Sequence, residues 1–373
     1  MGNGLLPLLP IYAIHLGATR ETAGYYVAFS FLCVSAGALL GGRLSDLLRR
    51  RRPLLAGAGL ASMAATWLIG RAGSVLQLAL ATGGSWLLGG LCLGIVGALA
   101  GKHADDRQRG RVFGILGMMV SLGSLIGGLT FGRIVDARGY GAMTSVASLV
   151  LLLIPLAALL PVDLGGAPTA KRVSRSAEGT AWISPAFLLL LVAEILAMTV
   201  AGTGNMGRSL LMSEKAFGGS QITTTMAVAG LVSLPLPFIL GWLSDSLGRG
   251  VVMLASFAAG IASLLVLTVS QTLAEFSAAT ALLSLHAVSM TLGPALAADV
   301  VPAERVGTGV SFFQSAAWIG TIGGYIYSGI SFPRFGMVPS LLAGAAFPAI
   351  AIVVLLARRS VAAVVTGRRT EAS

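Results

Sequence analysis

The chain alternates between long apolar runs and short polar breaks. Most of the runs reach the length of about 20 residues that an α-helix needs to cross the hydrocarbon core of a bilayer. We predict complete spans at about 22–45, 53–69, 74–100, 112–135, 142–160, 183–207, 221–244, 251–269, 272–299, 308–330 and 336–357. The first apolar stretch, Leu5 to Ile14, is too short to span and is interpreted as a truncated first helix. A protein of eleven spans is the alternative.

The composition is typical of a membrane protein. Hydrophobic residues make up 55% and charged residues 10% of the chain, and the mean hydropathy is +0.88, whereas about a quarter of the residues in soluble domains are charged. Glycines four positions apart within the runs favour close helix packing. These pairs are Gly37 and Gly41, Gly97 and Gly101, Gly123 and Gly127, and Gly128 and Gly132. The net charge of +11 comes from arginines that flank the runs, which indicates membrane topology rather than nucleic-acid binding.

A polar stretch near the middle divides the chain into two similar parts. It holds Lys171, Arg172 and Arg175 among Gly, Ser and Pro, which is a linker composition. We predict a six-helix bundle over 1–161, a linker over 162–181, a second six-helix bundle over 182–358 and a tail over 359–373. Most of the 25 Lys and Arg residues lie in the loops on the side of the linker and tail. The positive-inside rule therefore predicts a multi-pass protein of the cell (plasma or inner) membrane, with the linker and C-terminus in the cytoplasm.

A short motif occurs once in each part. Gly-x-Leu-Ser-Asp-x-Leu begins at Gly42 and again at Gly241, 199 positions later. It resembles the signature Gly-x-x-x-Asp-[Arg/Lys]-x-Gly-[Arg/Lys]-[Arg/Lys], which joins spans two and three in the major facilitator superfamily of secondary transporters. The residues that match the signature are Gly42, Asp46, Arg50 and Arg51 in the first copy and Gly241, Asp245, Gly248 and Arg249 in the second.

The resemblance implies an all-α membrane fold of two six-helix bundles, with twelve transmembrane helices and the first of them truncated. It also implies a conformational latch at the cytoplasmic side, with Asp46 paired with Arg50, Asp245 paired with Arg249, and Asp299 at the end of span ten. Each motif acid lies at a helix C-terminus, where the helix dipole disfavours an anion, so a compensating partner is expected. The alternative is that the arginines serve only membrane topology.

Span five contains Gly123-Ser124-Leu125-Ile126-Gly127-Gly128. This is similar to the Gly-Pro-x-x-Gly-Gly signature of exporters in the same family, with Ser124 in place of the proline. The same glycines are equally typical of a closely packed helix face. Drug–proton antiporters of the family often carry an arginine in span four, whereas here Trp86 falls near that position.

Glu194 is the acid that lies well inside a predicted span. On a helix it shares one face with Met198, Ala201, Asn205 and Arg208. Because an ionisable group at membrane depth costs free energy, Glu194 is the main candidate for a protonatable coupling or cation-binding group, and Asn205 is a candidate substrate contact. A carboxyl group near the interface, or one bonded to the backbone, is the alternative.

Other polar and aromatic residues within the spans are weaker candidates. His286 is either a proton carrier or substrate contact, or a core histidine whose hydrogen bonds are satisfied. Side chains of spans four and eleven are expected to form an aromatic, weakly polar pocket, or else to serve in packing: Trp86, Gln314, Trp318 and Tyr325. Arg133 and Arg208 near the outer span ends are expected to snorkel.

The sequence carries no Gly-x-Ser-x-Gly elbow, no paired His/Cys metal spacing and no Walker loop. We therefore predict no enzyme activity, no cofactor and no metal, and a transporter driven by a gradient. The expected function is proton-coupled efflux of a small, largely apolar organic molecule by a monomer in the lipid bilayer, without nucleic acid. An importer or uniporter of an organic anion, using Arg133 or Arg208, is one alternative. A non-transporting membrane sensor or an inactive fragment is the other.

Overall fold

The computed structural model describes residues 2–47, 51–103, 109–159, 183–302 and 305–357, and the predicted linker and tail lie outside these ranges. The first half of the described chain is helical. Its elements are α1 (Gly2–Leu5), a 3₁₀ turn (Leu6–Leu8), α2 (Leu9–His15), α3 (Arg20–Leu47), α4 (Arg51–Ile69), α5 (Val75–His103), α6 (Arg109–Leu151) and α7 (Leu153–Leu159).

The second half is helical as well. Its elements are α8 (Pro185–Glu214), α9 (Gly219–Ser233), α10 (Leu236–Leu247), α11 (Arg249–Val269), α12 (Leu273–His286), α13 (Ser289–Val300), α14 (Val306–Phe335), α15 (Met337–Gly344) and α16 (Ala346–Ala357). Most predicted spans match one helix or two consecutive helices to within a few residues. Span eight, for example, is split into α9 and α10 at Pro235, which has no backbone N–H group to donate a helical hydrogen bond.

Predicted span five and the first half of span six fall within one helix, α6, and the rest of span six is α7. The backbone leaves the helical region inside α6 at Gly139, where φ is 76° and ψ is 177°. Glycine reaches this conformation without a steric penalty because it has no Cβ atom. The chain therefore reverses direction at Gly139, so that span five precedes the turn and span six, which continues into α7, follows it.

Seven helical segments of the described chain are long and apolar enough to cross a membrane. Many large apolar side chains on their surfaces are exposed, as expected for a protein in contact with lipid rather than water. Together with the helical content of the described residues, this confirms the predicted fold class of an all-α membrane protein.

Successive spans alternate in direction, so the helix ends gather at two ends of the bundle. We call the end with the α2–α3, α4–α5, α8–α9 and α14–α15 turns the Arg20 end, and the end with the α10–α11 turn the Arg249 end. Two contacts between residues far apart in the sequence lie at the Arg20 end and support its definition. They join Arg20 with Glu214, and Lys215 with Gln271.

Glycines bring helices into backbone contact within each half. A Cβ atom on Gly37 or Gly41 of α3 would overlap the carbonyl oxygen of Leu87 or Leu91 on α5, and one on Gly90 would overlap that of Val34. The prediction from glycine spacing is confirmed for this pair of helices. It is wrong for Gly97, where an added Cβ atom would meet nothing within 4 Å.

The two halves also touch through glycines. A Cβ atom on Gly24 of α3 would lie 2.6 Å from the Cα atom of Gly329 on α14. On α6, Gly128 and Gly132 pack against the backbone of α9 at Ala227 and Gly219. We call these α3–α14 and α6–α9 contacts the seam. The close approaches at these glycines lie between the Arg20 end and the middle of the bundle.

Gly90→Ala is expected to destabilise the protein by about 1–3 kcal/mol, because the methyl group has no room against α3. The matched control is Gly57→Ala on α4, where the added methyl group would meet nothing within 4 Å. This substitution should have little effect on the protein's stability or raise it by up to about 1 kcal/mol. Thermal unfolding in detergent measures the difference. Equal midpoints for the two variants would contradict the packing described here.

Candidate functional site

Four aromatic side chains meet near the middle of the bundle, and they come from both halves. The ring centroid of Phe31 on α3 lies 5.0 Å from that of Trp86 on α5, 5.8 Å from that of Trp318 and 5.1 Å from that of Tyr325 on α14. We call these four residues the aromatic cluster. The structure thus brings three of the four predicted pocket residues together, while Gln314 lies half-buried one helical turn before Trp318.

Sequence reasoning missed Phe31, the residue that joins the other three. An aromatic residue in an apolar run usually serves in packing, so its residue type gave no signal. A weak signal was its place in an i, i+4, i+8 row with Ala23 and Val27, which are both fully buried. That row marks a buried face of α3.

Glu194 lies on α8 and is fully buried. The hydroxyl group of Ser289, at the start of α13, donates a hydrogen bond to Oε1 of Glu194 at 3.1 Å and lies 3.5 Å from Sδ of Met198. The other carboxyl oxygen, Oε2, has no hydrogen-bond partner among the described residues. The carboxyl group therefore lies within the second half, held by one neutral hydroxyl group.

The other polar candidates of the second half make local contacts. Asn205 is half-buried, and its side-chain amide donates to the carbonyl oxygen of Ala201 on its own helix at 2.8 Å. His286 is fully buried, with Nδ1 3.1 Å from the carbonyl oxygen of Ser256. Its ring also fills the space above Gly260 of α11. These contacts tie α12 to α11 and place His286 in the helix packing.

Arg208 is one of the largest fully buried side chains of the described chain, with 1% of its surface exposed. The expectation that it snorkels is wrong, because the side chain points into the protein, where Nη1 lies 3.4 Å from the hydroxyl oxygen of Thr280. Two other nitrogens, Nε and Nη2, have no hydrogen-bond partner among the described residues. Arg133, by contrast, is exposed on α6.

The predicted latch residues lie at the Arg249 end. Arg249 forms an ion pair with Asp299, with Nη1 3.0 Å from Oδ2, and both side chains are about half exposed. Gly248 ends α10 with a φ of 86° that favours glycine. Gly42 and Gly241 lie in the last two turns of α3 and α10. Arg50 and the side chains of Asp46, Arg51 and Asp245 lie outside the described residues.

A second set of polar contacts, which sequence reasoning missed, joins the halves at the Arg20 end. Both carboxylate oxygens of Asp136 on α6 accept backbone hydrogen bonds from α9, at 2.7 Å from Gly219 and 2.8 Å from Ser220. The N-cap of α9 is Gly218, which has no side chain to accept them. Asp136 therefore caps a helix of the other half. The exposed ion pair of Arg20 and Glu214 lies at the same end.

A shallow groove on the outer surface between α4 and α5 is lined by Ala65, Leu68, Arg71, Ala72, Gln77, Leu80 and Ala81. The guanidinium group of Arg71 stacks at 3.4 Å over the ring of Trp67. Neither Glu194 nor a residue of the aromatic cluster lines the groove, and its apolar lining suits contact with lipid. The described residues include no group of three His, Cys, Asp or Glu side chains that could hold a metal ion.

Asp136→Ala is expected to weaken closure of the Arg20 end. Loss of an N-cap costs about 1 kcal/mol, which would shift the closed-to-open ratio about fivefold. Spin labels at exposed Leu76 on α5 and Val338 on α15, in a variant with Cys33 and Cys92 replaced by Ala, would report longer distances.

The matched control is Glu275→Ala. Glu275 accepts backbone hydrogen bonds from Gln271 and Thr272 at the start of α12, within one half. Its loss should lower stability by a similar amount and leave the label distances unchanged. If both variants alter the distances equally, Asp136 has no special role in closure.

Comparison with known proteins agrees with this architecture. A family model of the Major Facilitator Superfamily matches residues 1–213 and 190–372. The chain is 27% identical over 284 residues to the multidrug resistance protein MdtG of Enterobacter lignolyticus (strain SCF1), which covers 72% of this chain and 66% of that protein.

Solved transporters share the fold. The structure of a peptide transporter, POT, in complex with sulfate has a TM-score of 0.75 and 15% identity, covering 98% of this chain and 92% of that one. A bacterial homologue of the human lysosomal transporter Spinster, in an inward-facing and occupied conformation, has a TM-score of 0.70 and 16% identity, covering 94% and 91%. The family model spans nearly all of the sequence, and the chain therefore belongs to the Major Facilitator Superfamily of membrane transporters.

Proposed function

We propose that the chain is a proton-coupled exporter of a small, largely apolar organic compound. The observation that carries this proposal is the burial of Glu194 inside a membrane-spanning helix with one neutral hydrogen-bond partner. An ionisable group at this depth is costly, so it is a functional candidate by default. A carboxyl group that gains and loses a proton there can couple substrate movement to a proton gradient.

The surroundings of Glu194 support a role in proton exchange rather than a structural ion pair. The described ion pairs, Arg20 with Glu214 and Arg249 with Asp299, lie at the two ends of the bundle, and among the described residues Glu194 has no cation partner. Ser289 satisfies only Oε1. Oε2 is thus the atom on which we place the transported proton.

The aromatic cluster supports an apolar substrate. Its rings come from α3 and α5 of one half and α14 of the other, so a molecule bound against them would contact both halves. Ring faces and edges accept apolar compounds of many shapes, since few directional bonds are required. The similarity to MdtG, a protein named for multidrug resistance, supports export of such compounds.

Alternating access would then consist of rocking the 1–161 bundle against the 182–358 bundle. The seam closes the Arg20 end here, and the latch residues would close the Arg249 end in the opposite state: Gly42, Asp46, Arg50, Arg51, Gly241, Asp245, Gly248, Arg249 and Asp299. We place the Arg249 end, the linker and the C-terminus in the cytoplasm of a cell with the protein in its plasma or inner membrane. The working unit would be the monomer.

Glu194→Gln is expected to abolish flux driven by an imposed pH gradient in proteoliposomes, while exchange of substrate between the two sides persists. The amide keeps the size of the side chain but cannot carry a proton. A panel of lipophilic cations, neutral drugs and amphipathic organic anions supplies the substrates. The matched control is Glu214→Gln on the same helix, because the exposed Arg20–Glu214 pair is worth little and its loss should leave coupling intact.

One outcome would decide against the proposal, and another would show that the assay is not specific. Gradient-driven flux that is unchanged in Glu194→Gln would remove Glu194 from the mechanism. Gradient-driven flux lost equally in Glu214→Gln would show that the assay responds to general damage rather than to proton coupling.

A second candidate function is import or facilitated passage of an organic anion. The burial of Arg208 favours it, because a guanidinium group that faces the protein interior can receive an anionic substrate. The direction of net flux separates the two candidates. Accumulation of an organic anion on the cytoplasmic side, without dependence on Glu194, would favour import.

A further inference from the structure

Arg208 is a buried cation that the proposed proton pathway does not use. Burial of an unpaired charge costs several kcal/mol even after the protein relaxes. Within the described chain, its guanidinium group has one long hydrogen bond, to Thr280, and no carboxylate partner. Because this charge is unfavourable in the protein without ligand, we expect a bound ligand to supply the hydrogen-bond acceptors that the guanidinium group lacks.

A second unpartnered group lies on the neighbouring helix, α14. The hydroxyl group of Tyr325 is fully buried and has no hydrogen-bond partner among the described residues. Arg208 and Tyr325 are close enough to interact electrostatically. Backbone contact between α8 and α14 holds them together, since a Cβ atom on Gly202 would lie 2.6 Å from the backbone nitrogen of Tyr325.

The chemistry of the two groups defines what is missing. A guanidinium group has five N–H donors and no acceptor, and a tyrosine hydroxyl group can donate as well. Donors that converge around a positive charge match the oxygens of a carboxylate, sulfonate or phosphate group. These three anions share the chemistry that the pair would recognise.

The ring of Tyr325 adds an apolar side to this pair. It stacks on Phe31 with the ring planes 26° apart, and so belongs to the aromatic cluster. Tyr325 therefore has a hydroxyl donor at one end and the ring of Phe31 stacked on its face. Opening the seam between α3 and α14 would separate Phe31 from Tyr325 and give a ligand access to both.

We propose that Arg208 and the Tyr325 hydroxyl group form an anion-binding subsite, and that the transported compounds are amphipathic organic anions with their apolar bodies on the aromatic cluster. This inference rests on the proposed transport function but not on its direction. It narrows the substrate from an apolar compound to one with a single anionic group.

Thermal unfolding of the full chain in neutral detergent tests the subsite. The probes are 1-naphthoate, 1-naphthalenesulfonate and 1-naphthyl phosphate, with neutral 1-naphthalenemethanol and inorganic sulfate as comparisons. At least one organic anion should raise the midpoint of the wild-type protein more than the neutral compound does. Arg208→Met should weaken its binding about 10- to 100-fold, as expected for loss of a hydrogen bond to a charged group.

Three further variants distinguish binding from packing. Tyr325→Phe keeps the stacked ring and should weaken anion binding by a smaller factor. Arg133→Met, which removes an exposed arginine from α6, should leave binding unchanged. Arg208→Lys keeps the charge but loses the planar fork, so it should bind less tightly than the wild-type protein. Without ligand, Arg208→Met should unfold no earlier than the wild-type protein, because it removes an unpaired buried charge.

Several results would overturn the inference. Arg208 would have only a structural role if Arg208→Met unfolded earlier than the wild-type protein without ligand and still bound the organic anions normally. If Arg208→Met does not fold, anion binding by Tyr325→Phe tests the subsite instead. Stabilisation by sulfate equal to that by the organic anions would assign the pair to an inorganic ion. No stabilisation by any of the three anions would remove the subsite. Proton-driven flux of the same organic anions, measured separately and compared with that of Glu194→Gln, shows whether the transport function itself fails.

Discussion

Backbone-to-backbone contact between helices is the constraint on which this structure depends. Lipid tails are as apolar as leucine side chains, so the hydrophobic effect does not drive helices together inside a membrane. Close approach must then come from van der Waals packing, which glycines permit. Gly37 and Gly90 place α3 against α5, and Gly202 places α8 against α14. The positions of the aromatic and polar side chains follow from these contacts.

The same kind of contact serves two purposes in different parts of the molecule. Within a half, it fixes helices relative to each other, as between α8 and α14, and so keeps Arg208 within electrostatic range of Tyr325. Between the halves, Gly24 packs against the backbone of α14 and Gly128 against that of α9. Van der Waals contact of this kind has no directional bond to break, so the two surfaces can separate as a unit. Asp136 adds a directional contact at the rim, where water can replace it.

Much of the fold could be predicted from the sequence, because the length and spacing of apolar runs determine where helices cross a membrane. The site could be predicted only in part. Spacing along a helix gives the depth of Arg208 but not whether it faces lipid or protein, and snorkelling was the wrong choice. The contacts of Phe31 with Trp318 and of Asp136 with Gly219 join distant parts of the chain. Such contacts depend on which helix faces meet, and periodicity in a run that is apolar on all sides does not reveal this.

The two buried ionisable groups of α8 have a joint consequence for energetics. Glu194 and Arg208 are fourteen residues apart on one continuous helix, which corresponds to about 21 Å. A proton site and an anion site would then move together when the half moves. Export of a monovalent anion in exchange for one proton transfers two elementary charges in the same electrical sense. With the cell interior negative, the membrane potential would contribute about 4.6 kcal/mol per 100 mV, twice its contribution for a neutral substrate. An anionic group on the substrate therefore costs desolvation at Arg208 but gains electrical driving force, and that gain gives a physical reason to keep an unpaired arginine inside the membrane.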